Sequence, residues 1–277
     1  MKEIQFYYTP RDLQKVRPSV IYRPDGSFLS RLTARDKQII EENWKRFSQK
    51  RGFYRGKLGT LWDTQNNTLT FCDADYGIWR AAEDTRAQRS LSDFVYNNFR
   101  VSSLGIAVLT SDNKILVQER SQAITVGGML DSSAAGFCGV EDGSLNPEKS
   151  LEEKLNRELN LTPAQFGTPE LRGIHSAVDY FSGMLAYKVR TNVPSSEITS
   201  NPDYVAKLYI IDSSELPEYI ADNFLNRRMI GDGCATLLAS LEPQDFDSTV
   251  SRINLDDTRI RFGQLVNGEF KPIGVQR

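Results

Sequence analysis

The sequence predicts an α/β fold in which a mixed sheet is sandwiched between helices over residues 101–241. A small α+β domain precedes it (residues 1–100), and a tail or edge element follows (residues 242–277). Three observations carry this reading. Short apolar runs of strand length recur at 104–109, 114–119, 172–180, 184–190 and 206–211. One segment, 147–159, places Leu151, Leu155 and Leu159 on a single helical stripe. Between the first strand pair and that helix lies a long run of small residues without a clear period, 121–143, holding five glycines.

In chain order, residues 3–8 alternate polar with apolar side chains and read as a strand. Thr33, with Asp36 three residues on, caps a helix over 34–47 whose Ile39, Ile40, Trp44 and Phe47 share a face. Strands at 58–62 and 68–72 flank a turn through Gln65, Asn66 and Asn67. A polar helix over 79–90 follows, and Phe94, Tyr96 and Phe99 are placed to dock it. Ser111-Asp112-Asn113 turns strand 104–109 back into 114–119. After the helix 147–159, ended by Asn160 and Pro163, strands 172–180 and 184–190 are expected around a Ser182-Gly183 turn. Strand 206–211 and helices near 214–223 and 232–240 complete the pattern.

Composition excludes several function classes. With 39% apolar and 25% charged residues, a sizeable core is expected; a net charge of -2 gives no general attraction to nucleic acid or to an acidic membrane. No apolar run reaches the roughly 20 residues that span a bilayer. Cys72, Cys138 and Cys234 show neither disulfide nor zinc spacing and read as reduced thiols, with the cytoplasm as the expected compartment. One histidine, His175 in a strand, and no nucleophile-elbow motif leave serine or cysteine hydrolysis without support.

The chemistry concentrates between Gly139 and Leu161. A diphosphate carrying Mg²⁺ needs several hard oxygen ligands on one surface, and glutamates three and four residues apart on a helix supply them. This segment resembles the Nudix family, in which a glycine loop precedes a helix reading Arg-Glu-apolar-any-Glu-Glu-any-Gly-apolar. Matching Arg157-Glu158-Leu159 to the first triplet would run the last metal positions into Pro163, where the helix ends. Aligning Pro147 with the proline that often opens the family's helix is consistent instead. It assigns Glu153-Lys154-Leu155 to the triplet, Arg157-Glu158 to the paired glutamates and Asn160-Leu161 to Gly-apolar.

In that register only Glu158 keeps a carboxylate, between Lys154 and Arg157. Glu153 lies about 140° and Glu152 roughly 120° round the helix from it. The resemblance implies Glu158 as the catalytic and metal-binding acid, with the loop acids Glu141 and Asp142 as the best supplementary ligands for Mg²⁺. Alternatively, Lys154 and Arg157 contact phosphate oxygens directly, with Gly139 and Gly143 in an anion nest formed by the loop 136–143. The plain reading beside both is a solvated Lys–Glu pair on an amphipathic helix.

Further matches resemble the UDP-glucose/UDP-galactose hydrolase group of that superfamily. They are Trp44, Phe53-x-x-Gly56, Tyr76, Thr110-Ser111-Asp112, Arg120-Ser121 and Asn160-Leu161. The resemblance implies a phosphorylated small-molecule partner, a UDP-sugar or related nucleoside diphosphate; the charge balance and short apolar runs lead to the expectation of no nucleic acid or membrane partner. Two functions stand side by side: a binding protein with weak or lost pyrophosphohydrolase activity, and an active Mg²⁺-dependent hydrolase of nucleoside diphosphate sugars. Asp179 and Tyr180 either line the pocket or simply end a strand.

Overall fold

The computed structural model describes residues 3–24, 26–51, 55–123, 126–177, 180–254 and 260–273. The first part of the chain gives β1 (Ile4–Tyr8), α1 (Pro10–Leu13), β2 (Ser19–Arg23), α2 (Ala34–Arg51), β3 (Lys57–Asp63), β4 (Thr68–Asp75), α3 (Tyr76–Thr85) and α4 (Asp93–Asn98). The central part gives β5 (Val101–Leu109), β6 (Lys114–Arg120), β7 (Leu130–Asp131), β8 (Ala134–Phe137), β9 (Val140–Glu141), β10 (Ser144–Leu145) and α5 (Pro147–Leu159). Then follow β11 (Glu170–Ala177), β12 (Ser182–Arg190), β13 (Val205–Asp212), α6 (Leu216–Leu225), α7 (Gly231–Ser240), α8 (Pro243–Ile253), β14 (Ile260–Val266) and β15 (Glu269–Pro272).

One large mixed sheet organises these elements, in the order β15-β14-β1-β11-β12-β5-β3-β4-β2, with β6, β7, β8 and β13 joined at its side. Its centre is the parallel pair β5–β12, in register from Val101↔Ser182 to Leu109↔Arg190. Buried on both faces, β5 reads as a near-continuous apolar run, as a central strand should. Its alternation sorts the layers: Leu104, Ile106 and Val108 pack towards the α5 leucines, while Ala107 and Leu109 pack towards α6, α7 and α8. Gly105 lets α7 approach the sheet closely, since a Cβ there would fall 2.0 Å from Thr236 Oγ1. Helices therefore cover both faces of a mixed sheet. A third apolar cluster joins α2, α3 and α4 to β3 and β4 through Phe28, Ile40, Trp62, Ile78, Trp79 and Phe99.

Thr33 and Asp36 form the expected reciprocal cap, and Asp36 also accepts bonds from Ser92 N (2.7 Å) and Oγ (2.8 Å). Other expectations change. The helix expected at 79–90 begins at Tyr76 and ends at Thr85, because Asp75 caps it by accepting a bond from Ile78 N. Ser182 and Gly183 lie inside β12 rather than in a turn, paired with Val101 and Ser102. The small-residue run 121–143 holds β7 and β8, and β8 pairs antiparallel with β5 from Ser103↔Phe137 to Ile106↔Ala134. Residues past 242 join the sheet: β14 pairs parallel with β1, Ile4 opposite Ile260. Hydrogen bonding thus runs across the boundaries drawn at residues 100 and 241.

Candidate functional site

The helix α5 forms where its sequence says it should. Asn146 accepts a bond from Lys149 N (3.0 Å), Pro147 opens the first turn, and Asn160 closes the last in a left-handed conformation, φ 54°. Leu151, Leu155 and Leu159 are buried against the sheet. That orientation carries Lys154 and Glu158, one turn apart, into the interior as well: they are 5% and 3% exposed. A solvated pair on the open face is thereby ruled out.

Their partners differ. Glu158 is neutralised by Arg157, its neighbour in sequence. Its Oε2 accepts bonds from Ala135 N (3.2 Å) and, at 3.5 Å, from Gln118 Nε2. Arg157 also lies over the Tyr204 ring, 4.5 Å from the centroid. Lys154 has no hydrogen bond and no ion pair among the described residues. Its amine lies beside Gly136, whose absent Cβ would meet Lys154 Cε at 3.0 Å, Nζ at 3.5 Å and Arg157 Nη2 at 3.7 Å. Gly136 has φ +151°, a conformation that suits glycine alone. Burial and then the Arg157 charge pull the Lys154 pKa down, while Glu158 opposes the shift.

The acids foreseen as Mg²⁺ ligands do not converge. Glu141 is paired with Lys149, in the first turn of α5, and both are exposed. Glu158 lies nine residues further along, about 13 Å at 1.5 Å per residue. Asp142 is exposed in the β9–β10 turn with φ 48°. No group of three or more His, Cys, Asp or Glu side chains suited to a metal occurs among the described residues. Glu158, already holding an arginine and an amide, is a poor start for a hard-cation site. Gly139 bridges to Leu58 of β3, and Gly143 lies open, with no atom within 4 Å of its Cβ position. Of the loop glycines only Gly136 meets the cations.

Beside this helix end lies a cleft of about 160 Å³. Tyr76, Trp79 and Glu83, spaced along one face of α3, form one wall. Trp79 meets Phe137 edge-on, ring centroids 4.9 Å apart. Ala135 and Gly136 of β8 form the wall shared with α5, and Tyr180, Ser182 and Met184 line the side towards β12. At one corner stand Arg120, Asp131 and Asp232. Gln118 and Arg120 project from the same face of β6, the first to Glu158 and the second to Asp131 (2.5 Å). Ser103, Ala135, Phe137, Ser182 and Met184 share the α7 face of the sheet, so most of the cleft lies on the opposite side of β8 from Lys154 and Arg157.

Asp131 is fully buried and also accepts a bond from Ser132 N (2.7 Å). Asp232 accepts a bond from Ser182 Oγ (2.5 Å). Burial, assisted by the nearby Asp131 charge, pushes the Asp232 carboxyl up to about 7 against the lowering effect of Ser182. Burial also raises the Glu83 carboxyl, with Arg86 acting in the opposite direction.

The remaining expectations can be placed. His175 is fully buried against Phe6 and held neutral, its pKa pushed down to about 3 by burial, so it is a core imidazole. All three cysteines are free and buried. Tyr180 lines the cleft, whereas Asp179 and Phe53 lie outside the described residues. Sequence reading did not find Asp131, Asp232, Glu83 or the Trp79–Phe137 wall. Of the cleft lining, Tyr76, Arg120 and Tyr180 carried a signal in the sequence.

No helix among the described residues is long and apolar enough to cross a membrane. No family model matches the chain, and no curated protein does. Among solved structures it is similar to DR0079 of Deinococcus radiodurans, at 18% identity and TM-score 0.38, covering 47% of this chain and 76% of that one. It is similar to the Nudix hydrolase RenU of M. smegmatis at 14% identity and TM-score 0.31, covering 49% and 80% of the two chains. A third similarity, at 11% identity and TM-score 0.34, is to the Nudix domain of Shewanella oneidensis NrtR, crystallised with ADP ribose; it covers 51% of this chain and 86% of that one.

Proposed function

We propose that the chain is a divergent Nudix-like protein that binds a nucleoside diphosphate-linked metabolite, such as a UDP-sugar, and has weak or no pyrophosphohydrolase activity. The observation that carries this reading is Lys154: a residue only 5% exposed, with no hydrogen bond or salt bridge among the described residues, beside a second cation, Arg157, that helps to hold its pKa down. A cation held this far from bulk water is favoured by a nearby anion, which a bound phosphate would supply. A diphosphate fits that need, since Lys154 and Arg157 offer donors on one surface and Gly136 leaves room for close approach.

Hydrolysis in the Nudix manner would require metal ions held by several carboxylates. Here Glu158 is engaged by Arg157, Ala135 and Gln118, and Glu141 by Lys149, so the residues present do not fit that group. What the cations supply is neutralisation of the phosphates without a metal.

The test is calorimetric titration of the full chain with UDP, UDP-glucose and inorganic pyrophosphate in EDTA. Alongside it runs a turnover screen over UDP-sugars, ADP-ribose and dinucleotides with Mg²⁺ or Mn²⁺. Metal-independent binding, weakened at least tenfold by Lys154→Ala and accompanied by no turnover above background, is expected. Turnover abolished by Glu158→Gln would overturn the reading in favour of an enzyme.

A further inference from the structure

We infer that the cleft between α1, the start of β11 and the first turn of α5 binds a free α-amino acid with an apolar side chain. Arg17 and Arg172 hold its carboxylate; Glu148 and the Tyr187 hydroxyl hold its ammonium. The cleft measures about 510 Å³, within the roughly 300–1,000 Å³ of pockets that enclose small molecules. It shares no lining residue with the cleft beside Trp79 and does not depend on the diphosphate reading.

The backbone makes the notch. β1 pairs with β11 only at residues 174–177. Past Tyr8 the chain leaves the sheet, because Thr9 and Asp12 form a reciprocal cap that starts α1. Residues 170 and 171 of β11 therefore keep β12 as their one strand neighbour. Pro10, Leu13, Pro18, Pro169 and Leu171 make the walls apolar, which gives the amino acid's side chain a surface to pack on.

Charged side chains of both signs line these walls: Arg17, Arg172, Glu148 and Glu170. Arg17 and Glu148 are exposed, and neither makes a hydrogen bond or ion pair among the described residues, so they do not reach each other. Arg172 donates from Nη2 to Leu241 O (2.8 Å) and lies 3.8 Å from Glu170 and 3.6 Å from Glu242. Its buried Nε–H has no acceptor among the described residues. A buried donor left without an acceptor is unfavourable, and a carboxylate supplies one. At the floor Tyr187 is 8% exposed, and its hydroxyl makes no hydrogen bond among the described residues. Burial, then Cys138 and Glu148 nearby, raise its pKa, so the phenol stays neutral and can accept a bond from an ammonium. Glu148 acts on that phenol, which puts the acid on the ammonium's side. A plain anion in the cleft would meet Glu148, and a plain amine would meet Arg17. A zwitterion satisfies both.

The experiment is a ligand-observed NMR titration of the full chain with L-leucine and L-phenylalanine. Each is compared with its N-acetyl form, which lacks the ammonium, and with its amide, which lacks the carboxylate. The parent amino acid is expected to bind on the order of tenfold more tightly than either blocked form. Arg17→Ala should remove most of the parent's advantage over the amide, and Glu148→Gln most of its advantage over the N-acetyl form. Both positions are exposed, so the fold is retained. Tyr187→Phe takes only a hydroxyl from a buried ring and should weaken binding severalfold with an unchanged circular dichroism spectrum. Absence of binding by both amino acids overturns the site. So does a blocked form that binds the wild-type chain as tightly as its parent, since the ligand is then a plain acid or a plain amine. Binding indifferent to Arg17→Ala and Glu148→Gln together overturns it as well.

Discussion

Replacing Lys154 with methionine should make the protein more stable and less able to bind anions. Methionine ends where the Lys154 Cε ends, so the change removes the ammonium and keeps the stem that packs against Gly136. Lys154 is 5% exposed as a residue, makes no hydrogen bond or salt bridge among the described residues, and is repelled by Arg157. Loss of its attraction to Glu158 is a smaller effect, because Glu158 keeps Arg157, Ala135 N and Gln118. Exchanging buried ionic groups for well-packed apolar ones is worth about 1–4 kcal/mol, and for this single charge we expect on the order of 2 kcal/mol of added stability. Urea unfolding at pH 7 measures it as a higher midpoint with an unchanged slope. The difference shrinks with alkali: a lysine pKa lowered by folding means that wild-type stability rises towards pH 10.5, narrowing the gap to the variant. A variant that is less stable than wild type at pH 7, or that still binds pyrophosphate normally, would refute the view that this charge is retained for a ligand.

Three further outcomes are expected. Asp232 holds its proton to about pH 7 when folded and to about 3.8 when unfolded, so its contribution is complete below 3.8 and is lost as pH rises to 7. That interval of about three units corresponds to roughly 4 kcal/mol, and Asp232→Asn should lack this decline when unfolding is compared at pH 4 and pH 8. Glu158→Gln loses the pairing with Arg157 and should destabilise by about 1–3 kcal/mol, seen as a lower melting temperature, without altering background turnover. Gly136→Ala puts a Cβ on a positive-φ residue 3.0 Å from Lys154 Cε; a stability loss of about 1–2 kcal/mol and weaker pyrophosphate binding should appear together.

Much of the fold was legible because local signals agreed. The leucine stripe, Pro147 and Asn160 mark α5 to its observed ends, and alternation or apolar runs mark β1, β5, β6 and β13 to within a few residues. β8 was not legible: Ala134, Ala135 and Gly136 lack the bulk that marks a strand, and their place is decided by pairing with β5. Nor did spacing reveal that Lys154 and Glu158 lie inside. A helix stripe tells which face is apolar, but a neighbouring strand decides how far burial extends round the helix. The cleft corner was beyond local reading altogether, since Arg120, Asp131 and Asp232 belong to β6, β7 and α7 and meet only after the sheet forms.

The parallel pairing of β1 with β14 has a bearing on how this chain matures. β1 lies between β11 and β14, so a strand from residues 4–8 receives its neighbours only from residues 170–177 and 260–266. Such distant pairings slow folding and keep an open strand edge exposed meanwhile. A fragment cut at residues 101–241 would carry that hazard permanently, with β11 stripped of its β1 partner and ready to recruit a strand from another molecule.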